Sequence, residues 1–325
     1  MTVIDAGPEV DLDDRPIAHR QADSAGDRFF RGLSTGAAMV SLAIVLLTLF
    51  FLFDRARPAL SSSGYWRFLT SAVWGLDGKK YGVLGLLENT AIIALIALFI
   101  AVPFAIAMAL FINEYAPARV RGPITSVIDL LASLPSLLYG VWGLFAFRTT
   151  QVKIAHWFNH NLSVLPFFRL SANQATVVGS SFEAGLVVSL MIVPIITSIT
   201  RDVTSQVPRE LCEGALALGG TRWGMIRDVV LPFGKNGIVG GILLGFGRAL
   251  GETIAIVLII GGVVFKANTH VLAKGTGSIA AWIDIDFGQA VGLERSALVA
   301  CGLVLFLVTL LVNLIGRLIV SRTAQ

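Results

Sequence analysis

Six apolar runs, near residues 33–53, 89–112, 124–147, 184–200, 238–264 and 297–319, set the strongest limit on how this chain folds. A hydrocarbon layer of about 30 Å is crossed at about 1.5 Å per residue, so roughly 20 apolar residues make one helical span. Inside lipid each backbone N–H and C=O must be satisfied within the protein, which leaves helices as the form for such runs. Composition agrees: 55% of the 325 residues are hydrophobic and 14% are charged, against roughly 25% charged in soluble domains. The expectation is an all-α integral membrane protein with six transmembrane helices. In so sparsely charged a chain, the formal net charge of +4 orients loops at the membrane and does not point to nucleic acid.

Six spans place both chain ends on one side of the membrane. Residues 1–31, polar and poor in large apolar groups, cannot bury enough surface to order themselves and read as a flexible N-terminal tail. Residues 32–325 then form the transmembrane domain, with a long polar loop at 201–236. Loops rich in Lys and Arg stay in the cytoplasm, and Arg119, Arg121, Arg201, Arg209, Arg222, Arg227 and Lys235 assign both termini to that side. The first run has no small-residue cleavage pattern after it and is expected to stay as an anchor. Pro103, Pro135 and Pro194 fall inside the second, third and fourth runs, where neighbouring helices must satisfy the carbonyls that a proline frees.

The fifth run holds two charges in the stretch GFGRALGETIAIVLIIGG, residues 245–262. Drawn as a helix, it places Gly241, Gly245, Arg248, Glu252 and Ala255 on one stripe, with Leu243, Phe246, Leu250, Ile254 and Val257 opposite. The small residues Gly241 and Gly245 suit close helix packing. Arg248 and Glu252, four apart on that face, can reach each other, and each costs roughly 2.5–3.5 kcal/mol at a bilayer centre. Two readings follow. One is an ion pair that locks helices together; the other is a guanidinium on the route of an oxyanion, with Glu252 holding it when no anion is present.

The polar loop reads SQVPRELCEGALALGGTRWGMIRDVVLPFGKNG, residues 205–237. Pro208 suits a first helical turn, Leu211, Ala215 and Leu218 make an apolar stripe, and Gly219 with Gly220 stops the helix. A second short helix is expected from Thr221, as N-cap, to Pro232. Glu213, Gly214, Ala215, Gly219, Val229, Leu231 and Pro232 are spaced as in the cytoplasmic EAA loop of ABC importer permeases, which this loop resembles, with Gly214 in place of the usual alanine. The resemblance implies a coupling helix that seats on a separate ATP-hydrolysing subunit.

A narrower resemblance rests on SLPSLLYGVWGLFAF at 133–147, PIITSITRDVTSQVPRE at 194–210 and LPFGKNGIVGGILLGFGRALGETIAIVLIIGG at 231–262. These look like the PstC family, one of two kinds of permease subunit in the bacterial phosphate-specific ABC importer. What that implies is a subunit that is not itself an enzyme, has no cofactor and moves inorganic phosphate, with Arg248 and Glu252 on the phosphate path. The implied partners are a second, PstA-like permease subunit, two PstB-like ATPase subunits and an extracytoplasmic, PstS-like phosphate-binding protein.

Other chemistries lack their motifs. GLDGKK at 75–80 is not a phosphate loop, and GFGRALG has the wrong glycine spacing for a dinucleotide. His156 and His160 lack the intervening glutamate of a zinc site and read as solvated loop residues, as do Asp284 and Asp286. Cys212 and Cys301 are expected to be unbridged. Two rivals remain at this stage: a transporter driven by an ion gradient, and a non-transporting membrane scaffold.

Overall fold

The computed structural model describes residues 25–75, 80–168, 178–261, 270–272 and 277–323, and the chain divides into two compact units, residues 1–50 and 51–325. Among the described residues every regular element is helical, apart from a single antiparallel bridge between Trp74 and Tyr81. Helix α1 (Ala25–Ser63) starts in the first unit and ends in the second. It takes in residues 25–31, which the sequence assigns to the tail; the rest of that tail lies outside the described residues. The second unit continues with α2 (Tyr65–Thr70), α3 (Leu84–Leu110), α4 (Ala118–Ser133), α5 (Ser136–Trp142), α6 (Arg148–Asn161) and α7 (Ser181–Thr204). Helices α8 (Arg209–Ala217), α9 (Arg222–Met225), α10 (Leu231–Leu250), α11 (Ile254–Ile260), α12 (Ile279–Asp286) and α13 (Gly292–Thr323) complete it.

Five stretches are long and apolar enough to cross a bilayer: Gly26–Ser63, Leu84–Tyr115, Ser181–Thr204, Arg222–Leu250 and Gly292–Leu318. The third expected span, 124–147, is not one rod. Helix α4 and the stretch Ser136–Asn161 that follows it meet at 95°, so they make a span only as a broken pair. Pro135 is the cause: its ring drives the preceding residue out of the helical region, and Leu134 sits at φ −64°, ψ 137°. Pro103 and Pro194 lie inside the continuous helices α3 and α7.

The fifth run also departs from a single helix. Helix α10 stops at Leu250 and the chain resumes as α11 at Ile254. At its other end the run begins early: α9, a π-helical turn at Ile226–Val230 and α10 follow one another directly, through Pro232. The loop helix expected to stop at Pro232 therefore continues into the membrane. Proline is tolerated there because it falls in the first turn of α10, just past the wider π turn.

Helices α3, α7 and α10 form the centre of the second unit. Ala94, Ala97, Ala101 and Ala105 line one face of α3, and Val187, Val188, Met191, Ile192 and Ile196 of α7 pack in the same buried cluster. Small side chains bring backbones together where lipid offers no hydrophobic gain. Helix α10 reaches α7 in the same way. A Cβ added at Gly245 stands 2.8 Å from Ile196 side-chain atoms, and one at Gly241 stands 3.0 Å from Ile199. Leu250, assigned to the greasy side opposite, is also in the core and does not face lipid.

This packing predicts that Gly245→Val lowers stability by about 1–3 kcal/mol through overpacking, whereas Gly240→Ala, where an added Cβ meets nothing within 4 Å, is neutral. Thermal unfolding of the two variants in detergent checks the contrast.

Candidate functional site

Arg248 lies ten residues into the apolar run that starts near 238, about 15 Å along a helix and hence about half of a ~30 Å layer. Within one turn the helix fails. Gly251 closes α10 with φ −91°, ψ 2°, Thr253 sits at φ −118°, ψ −69°, and α11 begins at Ile254. The break leaves backbone donors inside an apolar layer, and Glu252 answers for one of them: its Oε1 accepts the Ala255 N–H at 3.1 Å, as a capping residue does. Ser278 Oγ, 3.4 Å from the Glu252 carbonyl oxygen, donates to it and also caps α12 by accepting from Ala281 N–H. Thr90 Oγ1 of α3 accepts the Ile279 N–H at 3.0 Å. Polar side chains from α3 and α12 thus hold the break in place.

Glu252 is buried, with 6% of its surface exposed, while Arg248 is exposed. No ion pair joins them among the described residues. The shared face drawn for a continuous helix does not survive the break: Glu252 turns inward to the α11 backbone and Arg248 is left on an uncovered surface. The structure therefore separates the roles that the sequence grouped, a buried cap at Glu252 and a free cation at Arg248.

The second break lies alongside. Tyr139 of α5 donates its hydroxyl at 2.8 Å to the Leu131 carbonyl, which loses its i+4 partner to Pro135 and also accepts the Leu134 N–H at 3.2 Å. Arg248 is within electrostatic reach of that same tyrosine. Helix α5 rests on α11 at Gly140, where a Cβ would come within 2.9 Å of the Ala255 Cα. Gly143, one turn on, is pressed against Val187 of α7. Sequence reasoning missed Tyr139, Thr90 and Ser278; a tyrosine four residues after a mid-membrane proline was the available signal.

The polar loop is a helix, a turn and the start of a span. Helix α8 carries Glu213, Gly214 and Ala215. Gly219 takes φ +85°, a left-handed conformation that favours glycine, and Thr221 accepts the Gly224 N–H at 3.1 Å. Cys212, Ala215 and Leu231 pack on Leu110, Met225, Ile226 and Val230. The members of the expected stripe differ in burial: Ala215 packs inward, while Leu211 is 50% and Leu218 92% exposed, beside an exposed Trp223. The chain leaves an apolar surface on the outer side of α8. A Cβ at Gly214 meets nothing within 4 Å, so the departure from alanine is sterically silent.

A polar knot ties this loop to the spans. Arg201, near the end of α7, pairs with Asp202 at 2.9 Å and with Asp129 of α4 at 3.3 Å. Asn113, past the end of α3, donates to the Arg201 carbonyl and to Thr204 Oγ1, both at 2.7 Å. Arg121 donates to the Asn113 carbonyl at 2.8 Å. Helices α3, α4 and α7 are therefore joined by hydrogen bonds where the chain enters α8.

The remaining candidates are placed as follows. His156 and His160 are exposed on α6, and the described residues contain no cluster fit for a metal. Asp284 is exposed, but Asp286 is buried in α12, a helix where a loop was expected, with Oδ1 accepting from Gln289. Cys212 and Cys301 are both free.

A bundle with a broken span, a second break beside a mid-membrane cation and a protruding helical loop defines a class: the permease chains of ABC importers. The chain belongs to the family of binding-protein-dependent transport system inner membrane components, whose model matches residues 101–325. A phosphate transport system permease protein PstC of Xylella fastidiosa (strain 9a5c) is 39% identical over 305 residues, 93% of either chain. That of Haemophilus influenzae is 42% identical over 259 residues, covering 79% of this chain and 82% of its own. PstC 2 of Mycobacterium tuberculosis is 37% identical over 300 residues, 90% of this chain and 91% of its own. Among solved structures, a bacterial ABC transporter involved in the import of the acidic polysaccharide alginate matches with TM-score 0.56 at 16% identity, over 92% of this chain and all of that one. The MetNI methionine ABC transporter in an inward-facing form gives TM-score 0.51, also at 16% identity, over 75% and 96%. At that identity the likeness is one of fold.

Burial, with the nearby Glu114 and Glu213, pushes the Cys212 thiol above its ordinary pKa. Less thiolate is then present near neutral pH, so N-ethylmaleimide is expected to modify Cys212 more slowly than a free cysteine, faster as pH rises and faster in Glu213→Gln. Mass spectrometry of the labelled protein, with the buried Cys301 as internal control, reads both effects.

Proposed function

We propose that this chain is the permease subunit through which inorganic phosphate crosses the cytoplasmic membrane, with Arg248 as the fixed charge that makes the crossing possible. The observation that carries this reading is the state of Arg248: a guanidinium about half-way through the apolar layer, exposed and without a carboxylate partner among the described residues. A multiply charged anion in a low-dielectric layer needs such a counter-charge, and a guanidinium matches two phosphate oxygens at once. The names of the similar permeases, which are phosphate transport systems, support the same substrate. The ion-pair reading loses its support, because Glu252 is occupied as the cap of α11. Glu252 acts on the path by fixing the break beside which Arg248 stands.

The route forms when a second, similar permease subunit covers the exposed face of Arg248. Both termini and the 201–236 loop lie in the cytoplasm, where two ATPase subunits grip the loop. The exposed Leu211, Leu218 and Trp223 around α8 suit a groove in such a subunit, and the Arg201 knot carries its movement to α4 and α7. An extracytoplasmic phosphate-binding protein delivers the anion. ATP hydrolysis resides in the partner chains.

Phosphate uptake into vesicles holding the whole complex, with sulfate as competitor, tests the reading. Arg248→Gln is expected to lower uptake by roughly two to three orders of magnitude with assembly and ATPase activity intact. Unchanged uptake in that variant would remove Arg248 from the route.

A further inference from the structure

At the end of the molecule opposite the 201–236 loop, two arginines open on one pocket of about 380 Å³. Its walls include Phe51, Arg55, Phe287, Arg295, Ser296 and Val299. The Arg55 guanidinium lies 5.4 Å from the centre of the Phe51 ring and that of Arg295 4.7 Å from the Phe287 ring, so both are oriented by aromatic faces. Neither has a carboxylate within ion-pair distance among the described residues. The nearest acids in sequence are engaged elsewhere. Asp54 lies 4.0 Å from Arg57, Glu294 accepts from the Trp74 indole at 3.4 Å, and Asp286 accepts from Gln289 at 3.0 Å.

The depth of the pocket narrows what it takes. Arg55 follows directly on the apolar run 33–53, and Arg295 directly precedes the run 297–319. Both therefore stand where a span leaves the hydrocarbon, at the level of lipid headgroups. Phe51 and Val299 lie one turn deeper and give the same pocket an apolar floor. A free phosphate has no use for that floor, which would strip its water without replacing it. A molecule with an anionic phosphate at one end and acyl chains at the other uses both halves.

We propose that this pocket binds one anionic glycerophospholipid of the leaflet opposite the 201–236 loop, its phosphate between Arg55 and Arg295 and an acyl chain along Phe51 and Val299. The lipid ties the end of α1 to the start of α13, two helices that among the described residues share only limited packing. The site is independent of the route at Arg248.

The test uses the full-length protein, purified with the subunits that accompany it, in nanodiscs containing a photoactivatable phosphatidylglycerol, with adducts mapped by mass spectrometry. Peptides holding Phe51 and Val299 are expected to be labelled, with competition by unlabelled phosphatidylglycerol and none by phosphatidylcholine. Arg55→Gln with Arg295→Gln should cut labelling about ten-fold, the loss of one or two charge-assisted contacts. Arg57→Gln should not, because Arg57 sits at the same depth but outside the pocket. Equal labelling of the double variant overturns the site. So does equal competition by phosphatidylcholine, displacement by inorganic phosphate, or absence of label because another subunit covers the pocket. If the double variant does not fold, the competition series on the unaltered protein decides alone.

Discussion

A helix broken inside a bilayer leaves backbone polar groups where no water can reach them, and this chain carries two such breaks side by side. Most of its unusual features are the means of making them tolerable. At Pro135 the freed Leu131 carbonyl is met by Tyr139. At Glu252 a buried carboxylate caps the next helix, and hydroxyls from Ser278 and Thr90 secure the segment behind it. The breaks are held against each other by the contact of Gly140 with Ala255, a position where no side chain fits. Once the two are fixed, Arg248 at the end of α10 is presented beside them on a surface that its own chain leaves open.

The other end of the molecule has a different task. Hydrogen bonds and ion pairs add to the packing of α3, α4 and α7 around Arg201, Asp129 and Asn113. Helix α8 sits just beyond this knot, lightly packed through Cys212 and Ala215, with its leucines turned outward. An uncovered apolar surface on a short helix needs a partner.

Much of this was legible from residue order. The apolar runs located four continuous spans and part of a fifth, because length and hydropathy are properties of local sequence. Thr221 as a cap, the stop at Gly219 and the packing role of Gly241 and Gly245 followed from short-range chemistry. The failures have a common origin. Run 124–147 read as one span because apolar length does not register a 95° bend at Pro135, and run 238–264 read as one helix because a periodicity drawn at 100° per residue assumes the continuity it is used to test. Pro135 broke its helix while Pro103 and Pro194 lie inside continuous ones, so the presence of a proline in an apolar run did not by itself locate the break. The placing of Arg248 and Glu252 on one helical face rested on that same assumed continuity. The apolar stripe of α8 was legible from its spacing, but which of its members pack inward and which stay exposed was not, because sequence alone does not tell a core face from a docking face.

The account stands on Arg248 acting through its charge. With Cys212→Ser as background, Arg248→Cys places a thiol at the break, and uptake of phosphate is measured before and after treatment with aminoethyl and with methyl methanethiosulfonate. Restoration of uptake by the positively charged adduct alone is the predicted result. Equal recovery with the neutral adduct, or uptake that never fell, would show that the position needs bulk or nothing at all, and would contradict the account.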